Sequence, residues 1–422
     1  MNKANRLKKA TMRISNILKS FEYKCESRQK ASYFSREVGK IGFVNMVVMT
    51  LNFLTKSLQT ELNSFFEKVL ETKEKARKQA YSEGRFKLTE DAFRLLYKDT
   101  VELGATEAED LGLKTFKEYR VYAVDGSTVL LEDTISLRRY FGVVGPGAGV
   151  AAARISVMAD MLNQGYIMDA QIGKQSNGER ELALHHIERL YELQQQKTIV
   201  IFDRGYASAE MFEALKDTKF LFRVKRKFNS EIDRLPVGDY TGEFIIKKRK
   251  FLLRVVKFRL ITGEIETLVS NLSEEEATME ELKELYNMRW GVETVYHTIK
   301  SHLELENFTG TSQLIVKQDF YATMFLKNMV ALAKMDSDEI IEKNHNPENL
   351  HKQKTNENIL VGILKDRLVI ALLEPRPRAQ ARKINNIIQE AAQYKIPVRP
   401  DRHFPRKRKN MKRFHNSGKS SL

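Results

Sequence analysis

Residues 119–131 read YRVYAVDGSTVLL, a β-rich run in which Asp125 directly follows the apolar strand VYAV. Two further β-rich segments come next, ARISVMADML at 153–162 and YIMDAQIG at 166–173. A glycine-rich stretch separates the first segment from the second, and the turn at 163–165 separates the second from the third. We interpret the three segments as successive strands of a meander.

The following segments complete the fold prediction. A helical pattern from about Asn177 to Leu193 leads to the apolar run TIVIF at 198–202, a helix around 209–215 and the strand FLFRV at 220–224. Three strands and then helix, strand, helix, strand is the ribonuclease H-like arrangement, in which helices flank a mixed sheet. We therefore predict an α/β fold with a ribonuclease H-like core.

The regions around this core differ in composition and periodicity. Helical spacing dominates the chain before about Gly104, strand-like runs broken by glycines follow the core strands, and strong helices are predicted at Met279–Leu303 and Val316–Lys334. The resulting division is a helical N-terminal region that binds DNA (1–110), a catalytic core (115–335) with a β insertion (about 226–272), a helical C-terminal region (336–396) and a basic tail (397–422).

The charge balance favours a polyanionic partner. The chain has 71 Lys and Arg against 55 Asp and Glu, a net charge of +16. The basic stretch 73–86 could dock on DNA or simply form a solvated helix face, and the tail suits nonspecific phosphate contact.

Cysteine usage and hydropathy indicate a soluble protein of a reducing cytoplasm. The single cysteine, Cys25, excludes an intrachain disulfide framework and a multi-cysteine zinc site. The most apolar early stretch, 43–54, is interrupted by two asparagines and is too short to span a bilayer. We therefore expect no membrane partner.

Two aspartates follow predicted strands. Asp125 precedes Gly-Ser, and Asp203 follows TIVIF in the motif Asp-Arg-Gly-Tyr. Each has a structural alternative, a turn aspartate at Asp125 and a helix cap at Asp203. Ligands bind at strand ends in open α/β sheets, so the pair makes a metal site plausible.

A third carboxylate lies on the predicted helix ELYNMRWGVETVYHTIKSHLEL at 284–305. At about 100° per residue, Tyr286, Arg289, Glu293 and Lys300 share one face, although charges at this spacing also form ordinary intrahelical pairs. Two divalent cations need several carboxylate ligands, which Asp125, Asp203 and Glu293 would supply for phosphodiester chemistry.

The same helix offers candidates for DNA contact. Arg289 and Lys300 would clamp phosphates, and Tyr286 would position one through its hydroxyl. His297 and Trp290 lie within about 60° of Glu293, so either could touch DNA, although a lone tryptophan is more often a packing residue.

The spacing Tyr-x2-Arg-x3-Glu-x6-Lys, together with VDGS at Asp125 and FDRGY at Asp203, resembles the bacterial insertion-sequence transposases of the IS4 family. The β insertion and the segment QAYSEGRFKLTEDAF at 79–93 are also similar to that family, and the likeness covers most of residues 40–335.

This resemblance implies a DDE transposase with the catalytic triad Asp125, Asp203 and Glu293. It also implies Mg²⁺ as the metal, with Mn²⁺ as a substitute, hydrolytic nicking at terminal inverted repeats, and strand transfer into target DNA by a homodimer in a synaptic complex. Such a protein would act in the bacterial cytoplasm and associate with the nucleoid when bound to DNA.

Two alternatives remain at this stage. A ribonuclease H-like nuclease would use the same carboxylates without joining strands. A domesticated DNA-binding protein would keep the fold and leave the carboxylates idle.

Overall fold

The computed structural model describes residues 5–35, 41–54, 56–195, 197–348 and 350–399. Its helices are α1 (Arg6–Lys19), α2 (Phe21–Glu26), α3 (Phe43–Thr50), α4 (Leu58–Ser64), α5 (Lys78–Arg85), α6 (Asp91–Thr106), α7 (Ile135–Phe141), α8 (Glu179–Glu192), α9 (Ala209–Ala214), α10 (Ser230–Arg234), α11 (Met279–Met288), α12 (Gly291–His297), α13 (Gln313–Lys343), α14 (Glu357–Leu364), α15 (Arg367–Leu373) and α16 (Pro377–Ala391). Two π-helical turns follow α4 and α12, at Phe65–Val69 and Thr298–His302.

The strands are β1 (Arg120–Leu130), β2 (Val143–Val144), β3 (Val150–Asp160), β4 (Tyr166–Lys174), β5 (Thr198–Phe202), β6 (Lys219–Arg223), β7 (Gly238–Ile246), β8 (Arg249–Arg259), β9 (Ile265–Ser270), β10 (Gln353–Thr355) and β11 (Lys395–Pro397). β10 and β11 form a separate antiparallel pair. The predicted basic tail, 397–422, lies outside the described residues from residue 400 onward.

The other nine strands of the described chain form one mixed sheet. Its order is β2-β3-β1-β5-β6-β9-β8-β7, and β4 also pairs with β3. β5 is parallel to both β1 and β6, whereas β6, β9, β8 and β7 are joined by antiparallel pairs. The mixed α/β class predicted from the sequence is confirmed, and the three meander strands are β1, β3 and β4, with the short β2 inserted between the first two.

Burial along the strands explains why these segments occupy the centre of the sheet. All five residues of β5 are buried, as expected for a parallel strand whose two faces are both covered. The first five residues of β1 are buried, and burial decreases from Asp125 onward. The apolar half of β1 therefore lies in the core, and its carboxylate stands where the core ends.

The predicted β insertion continues the same sheet. β7, β8 and β9 pair with one another, and Leu221 to Arg223 of β6 pair with Leu268 to Ser270 of β9. The short helix α10, which is capped by the Asn229 side chain, precedes these strands and was not predicted. The insertion thus widens the core sheet by three strands.

The chain divides into two units that are discontinuous in sequence. One comprises Met1–Gly112, Val129–Ala153 and His297–Leu422, and the other comprises Leu113–Thr128 and Arg154–Tyr296. We call them the helical unit and the sheet unit. Each region predicted from the sequence is one continuous stretch, whereas these units combine three and two separate stretches of the chain, respectively.

The helical unit is organised around α13, whose 31 residues are buried over most of their length. A helix that is apolar on several faces needs neighbours on several sides, and α1, α6, α14 and α16 pack against it. Asp336 of α13 accepts hydrogen bonds from the start of α1, including one from Arg6 Nη1 at 3.0 Å. Among the described residues, none of the helices combines the length and hydropathy that crossing a bilayer requires.

Candidate active site

Two aspartates stand at the same edge of the sheet unit. β1 and β5 are parallel neighbours in the register that pairs Val124 with Phe202. The next residue of each segment is an aspartate, Asp125 in β1 and Asp203 directly after β5. Asp125 does not end its strand as predicted, because β1 continues to Leu130. Both aspartates instead come directly after the last residue pair of the parallel β1–β5 ladder, so they start from neighbouring positions in the sheet.

The electrostatic surroundings of Asp125 are acidic. Burial raises the pKa of Asp125 to about 6; the Gly126 N–H, which donates to its Oδ1 at 2.9 Å, and the Arg289 charge oppose this rise. The negative charges of Glu179 and Asp203 raise the pKa further. A bound cation or an added proton would therefore stabilise this carboxylate.

The helix that carries Glu293 is interrupted, so the prediction of one continuous helix over Met279–Leu303 is wrong. α11 ends at Met288 and α12 begins at Gly291, and the N–H groups of residues 289, 290, 292 and 293 each donate to the carbonyl three residues back. A Cβ on Gly291 would lie 2.9 Å from Met161 Sδ. Glycine therefore permits this close contact and, with its low helix propensity, favours an interruption here.

This interruption changes how the predicted site residues on the helix are arranged. The face computed at about 100° per residue does not extend through a tight turn or through the π-helical turn that follows α12. The Tyr286 hydroxyl donates to Asp203 Oδ1 at 3.2 Å, and Arg289 Nη2 lies 4.0 Å from Glu293 Oε1. The structure thus places Tyr286, Arg289 and Glu293 in the same unit as both aspartates.

The other two predicted DNA-binding residues, Lys300 and His297, belong to the helical unit. Lys300 Nζ lies 3.7 Å from Glu306 Oε1, and burial lowers the pKa of Lys300. The His297 ring packs edge-on against His302, with 5.0 Å between the ring centroids. Trp290 is in the sheet unit and is 52% exposed, with the Arg289 guanidinium 5.2 Å from its ring.

Glu179, which sequence reasoning missed, lies beside the glycines of both aspartate motifs. It is the first residue of α8, and a Cβ on Gly126 would lie 3.2 Å from its Cγ. A Cβ on Gly205 would lie 3.9 Å from its Oε2. A glutamate in a first helical turn is usually explained by the helix dipole, so the sequence offered no separate signal of this contact.

Several buried polar atoms of the sheet unit lack hydrogen-bond partners among the described residues. They are Arg154 Nε, Gln175 Oε1, Tyr206 Oη and Arg289 Nε. Arg154 forms an ion pair with Glu179 at 3.1 Å, and the charges of Asp125 and Asp203 raise the pKa of Tyr206, after the larger effect of burial. Three of these atoms, on Arg154, Tyr206 and Arg289, can donate a hydrogen bond, and an oxygen-rich ligand would supply acceptors for them.

The donor chemistry of this edge fits a hard divalent cation. Carboxylate oxygens are the protein ligands that Mg²⁺ and Mn²⁺ prefer, and Asp125 is short of neutralising charge. In the part of the chain that is described, however, no group of three His, Cys, Asp or Glu side chains is close enough to hold a metal ion. The two aspartates therefore have the right ligand chemistry for a metal ion. In this conformation, however, Glu293 does not lie close enough to them to complete a three-carboxylate site.

The fold is that of a mixed-sheet protein. Its candidate site has two aspartates beside the parallel strands β1 and β5, and buried hydrogen-bond donors in the same unit lack partners among the described residues. Residues 117–329 match the family described as Transposase DDE domain. This match covers half of the chain, and the chain belongs to that family of DDE transposases.

Two individual proteins are similar to this chain. One is Putative transposase y4zB of Sinorhizobium fredii (strain NBRC 101917 / NGR234), which is 25% identical over 150 residues, or 32% of this chain and 42% of that relative. The chain thus matches less than half the length of that relative. The other is a cryo-EM structure of piggyBac transposase in a synaptic complex with hairpin DNA, with 12% identity, a TM-score of 0.46, and coverage of 89% of this chain and 85% of that chain.

Proposed function

We propose that this chain is an insertion-sequence transposase of the IS4 type that cleaves DNA at element ends and joins the ends to target DNA. The observation that carries the proposal is that Asp125 and Asp203 each come directly after the last residue pair of the parallel β1–β5 ladder. The strand order β4-β3-β1-β5-β6 supports a ribonuclease H-like core, because three consecutive strands are followed by two strands parallel to the first.

In this proposal Asp125, Asp203 and Glu293 hold Mg²⁺, for which Mn²⁺ can substitute. Divalent ions bound there would activate a water or a 3′ hydroxyl and stabilise the leaving oxygen of the phosphodiester. Glu293 would complete the ligand set by turning from Arg289 toward the aspartates. The hydroxyl of Tyr286 orients Asp203 by donating to its Oδ1.

The unpaired donors of the sheet unit are suited to the DNA phosphate. Arg289 Nε and Tyr206 Oη are buried without partners among the described residues, and a phosphate brings acceptor oxygens. A bound phosphate would therefore give these two donors acceptors. Lys300 and His297 remain proposed DNA contacts.

The proposed partners are terminal inverted repeats and target DNA, held by a homodimer in a synaptic complex. The net charge of +16 supports a nucleic-acid partner. The proposed regions for additional DNA contact are the helical segment 1–110 and the basic tail 397–422. The proposed cellular setting is the bacterial cytoplasm, with the DNA-bound protein on the nucleoid.

The decisive experiment uses labelled fragments of the DNA that flanks the reading frame, with Mg²⁺ and an unlabelled target plasmid. We expect nicked ends and joined products from the wild-type chain. Asp125→Asn, Asp203→Asn and Glu293→Gln should each lower both products by at least about 100-fold, because each removes a charged metal ligand. Glu284→Gln is the matched control, since Glu284 is exposed and lies on α11.

The other outcomes separate the alternatives. Cleavage without any joined product would identify a nuclease. Full activity of Glu293→Gln would contradict the triad, and DNA binding with no cleavage by the wild-type chain would indicate a domesticated binding protein.

A further inference from the structure

The main-chain oxygen of Asp125 accepts two hydrogen bonds from side chains. The Ser156 hydroxyl donates to it at 3.2 Å, and the Tyr296 hydroxyl donates to it at 2.6 Å. Ser156 is fully buried and Tyr296 is 8% exposed. A carbonyl oxygen has two lone pairs, so both are occupied, and rotation of the backbone at Asp125 would break two buried hydrogen bonds.

Ser156 is one end of a longer buried chain of hydrogen bonds. Its Oγ lies 2.9 Å from His186 Nε2, and His186 Nδ1 lies 2.6 Å from Asp169 Oδ2. The three residues lie on β3, α8 and β4, and His186 is fully buried. The chain therefore links three elements of the sheet unit to the backbone of Asp125.

The His186 ring is held at both nitrogens. His186 Nδ1 donates to Asp169 Oδ2, because an ionised carboxylate is only an acceptor, and His186 Nε2 shares a hydrogen bond with Ser156 Oγ. Rotation of the ring would break both buried hydrogen bonds, so Asp169 and His186 together fix the position of Ser156 beside the Asp125 carbonyl.

The Asp169 carboxylate is suited to hold this ring. Burial acts to raise the pKa of Asp169, but its interactions with His186 and the hydrogen bonds from Gln171 and the Ala170 N–H leave the pKa below its usual value. Gln171 Nε2 donates to Asp169 Oδ2 at 2.8 Å.

The arrangement resembles a Ser-His-Asp hydrolase triad in composition but not in geometry. A nucleophilic serine must expose its hydroxyl to a substrate and give its proton to the histidine. Ser156 is fully buried, and its hydroxyl points at a main-chain carbonyl. A nucleophilic role is therefore excluded for this conformation.

We propose that Asp169, His186 and Ser156 form a positioning relay, in which Asp169 fixes the His186 ring, His186 fixes the Ser156 hydroxyl, and Ser156 holds the main-chain carbonyl of Asp125 and so orients the Asp125 carboxylate for metal binding. The orienting part of this inference rests on the proposed metal-binding role of Asp125. Tyr296, three residues after Glu293, completes the arrangement by fixing the same carbonyl from α12.

The first test measures Mn²⁺ binding to the full-length protein by electron paramagnetic resonance. Ser156→Ala and Tyr296→Phe should each weaken Mn²⁺ binding by about tenfold, the lower range for residues that orient a metal ligand. The matched controls are Ser270→Ala and Tyr23→Phe, because each removes a buried hydroxyl that donates to a carbonyl, of Phe220 and Ala92 respectively. Unchanged Mn²⁺ affinity in both Ser156→Ala and Tyr296→Phe would overturn the orienting role.

The second test measures Mn²⁺ binding to His186→Gln in the same way. We expect this variant to weaken Mn²⁺ binding, as Ser156→Ala does, because it removes the ring that fixes Ser156. Unchanged Mn²⁺ affinity in His186→Gln would exclude His186 and Asp169 from the relay.

These readouts distinguish failure of the relay from failure of the proposed function. Asp125→Asn should abolish Mn²⁺ binding at this site. If Asp125→Asn bound Mn²⁺ like the wild-type protein, the proposed metal site and the orienting role would both be wrong. If only Ser156→Ala and Tyr296→Phe bound normally, the relay alone would fail.

Discussion

The ionised carboxylate of Asp125 lowers the stability of the folded protein, and the same carboxylate is the proposed metal ligand. Its side chain is partly buried beside other carboxylates, and its backbone carbonyl is held by Ser156 and Tyr296. Burial near like charge makes the ionised form unfavourable, while the two hydrogen bonds prevent the backbone from turning away. Stability is therefore lower than a neutral residue would allow at this position.

This conflict predicts that Asp125→Asn stabilises the metal-free protein. The folded-state pKa of about 6 lies above the usual 3.8, so the wild-type protein loses stability as the pH rises from about 4 through 6. In EDTA at about pH 7.5, the asparagine variant should gain about 2 kcal/mol in free energy of unfolding, and the gain should shrink toward pH 4. Urea unfolding at several pH values measures it.

Asp133→Asn is the control for this prediction. Hydrogen bonding from Arg138 lowers the pKa of Asp133, so its replacement should bring no stabilisation at neutral pH. Equal free energies of unfolding for Asp125→Asn and wild type at pH 7.5 would contradict the prediction that the ionised Asp125 carboxylate destabilises the metal-free protein.

At the scale of elements, periodicity predicted helices and strands but not their interruptions. The apolar residues Leu285, Met288, Val292, Val295 and Ile299 keep three-four spacing straight through the turn between α11 and α12. This spacing is a property of the sequence alone, so it gave no sign that hydrogen bonds are made three residues back in this turn. It also gave no sign of the close approach of Met161 to Gly291, because the two residues are far apart in sequence.

The β7–β8 hairpin carries local backbone strain that can be tested. Its two turn residues, Lys247 and Lys248, have φ values of 46° and 65°, which glycine and asparagine adopt more readily than lysine. Replacing the pair with Asn-Gly should raise the free energy of unfolding by about 1 kcal/mol. Thermal or urea unfolding of the full-length protein provides the measurement.

Charge and backbone effects at this turn are separated by a second double variant. Lys247→Gln with Lys248→Gln removes the same two charges but keeps the strained backbone, so its stability should match the wild-type protein. Equal stabilisation in both double variants would attribute the gain to charge and refute the strain argument.

For the whole molecule, the distribution of charge predicts how DNA binding responds to salt. Residues 400–422 contain eight Lys or Arg and one Asp, nearly half of the net charge of +16. Each phosphate contact contributes about 0.9 to the slope of log affinity against log salt concentration. Truncation after Arg399 should therefore lower the magnitude of that slope by about 3–4 if half of these side chains contact phosphates.

Fluorescence anisotropy with duplex DNA at several salt concentrations measures this slope. A full-length variant with the eight basic tail residues replaced by glutamine should reproduce the truncation, because it keeps the length and removes the charge. An unchanged slope in both proteins would exclude the tail from DNA contact.

The sequence by itself determined the mixed α/β class, the order of the core strands along the chain and the position of Asp203 at a strand end, whereas β1 continues past Asp125 to Leu130. These features depend on residue type and on periodicities of two and 3.6, which are local properties of the chain. The triad Asp125, Asp203 and Glu293 remains a proposal that the tests above address.

Only the tertiary structure decided the division into two discontinuous units and the position of Glu179 beside both aspartate motifs. It also decided the series of hydrogen bonds that runs from Asp169 through His186 and Ser156 to the Asp125 carbonyl. Ser156 lies 31 residues from Asp125 and 30 from His186. No local sequence pattern predicts which buried serine donates a hydrogen bond to which carbonyl, because that pairing depends on how the strands and helices pack. The physical reason is that hydrogen bonds between distant residues form only once the sheet has brought their elements together.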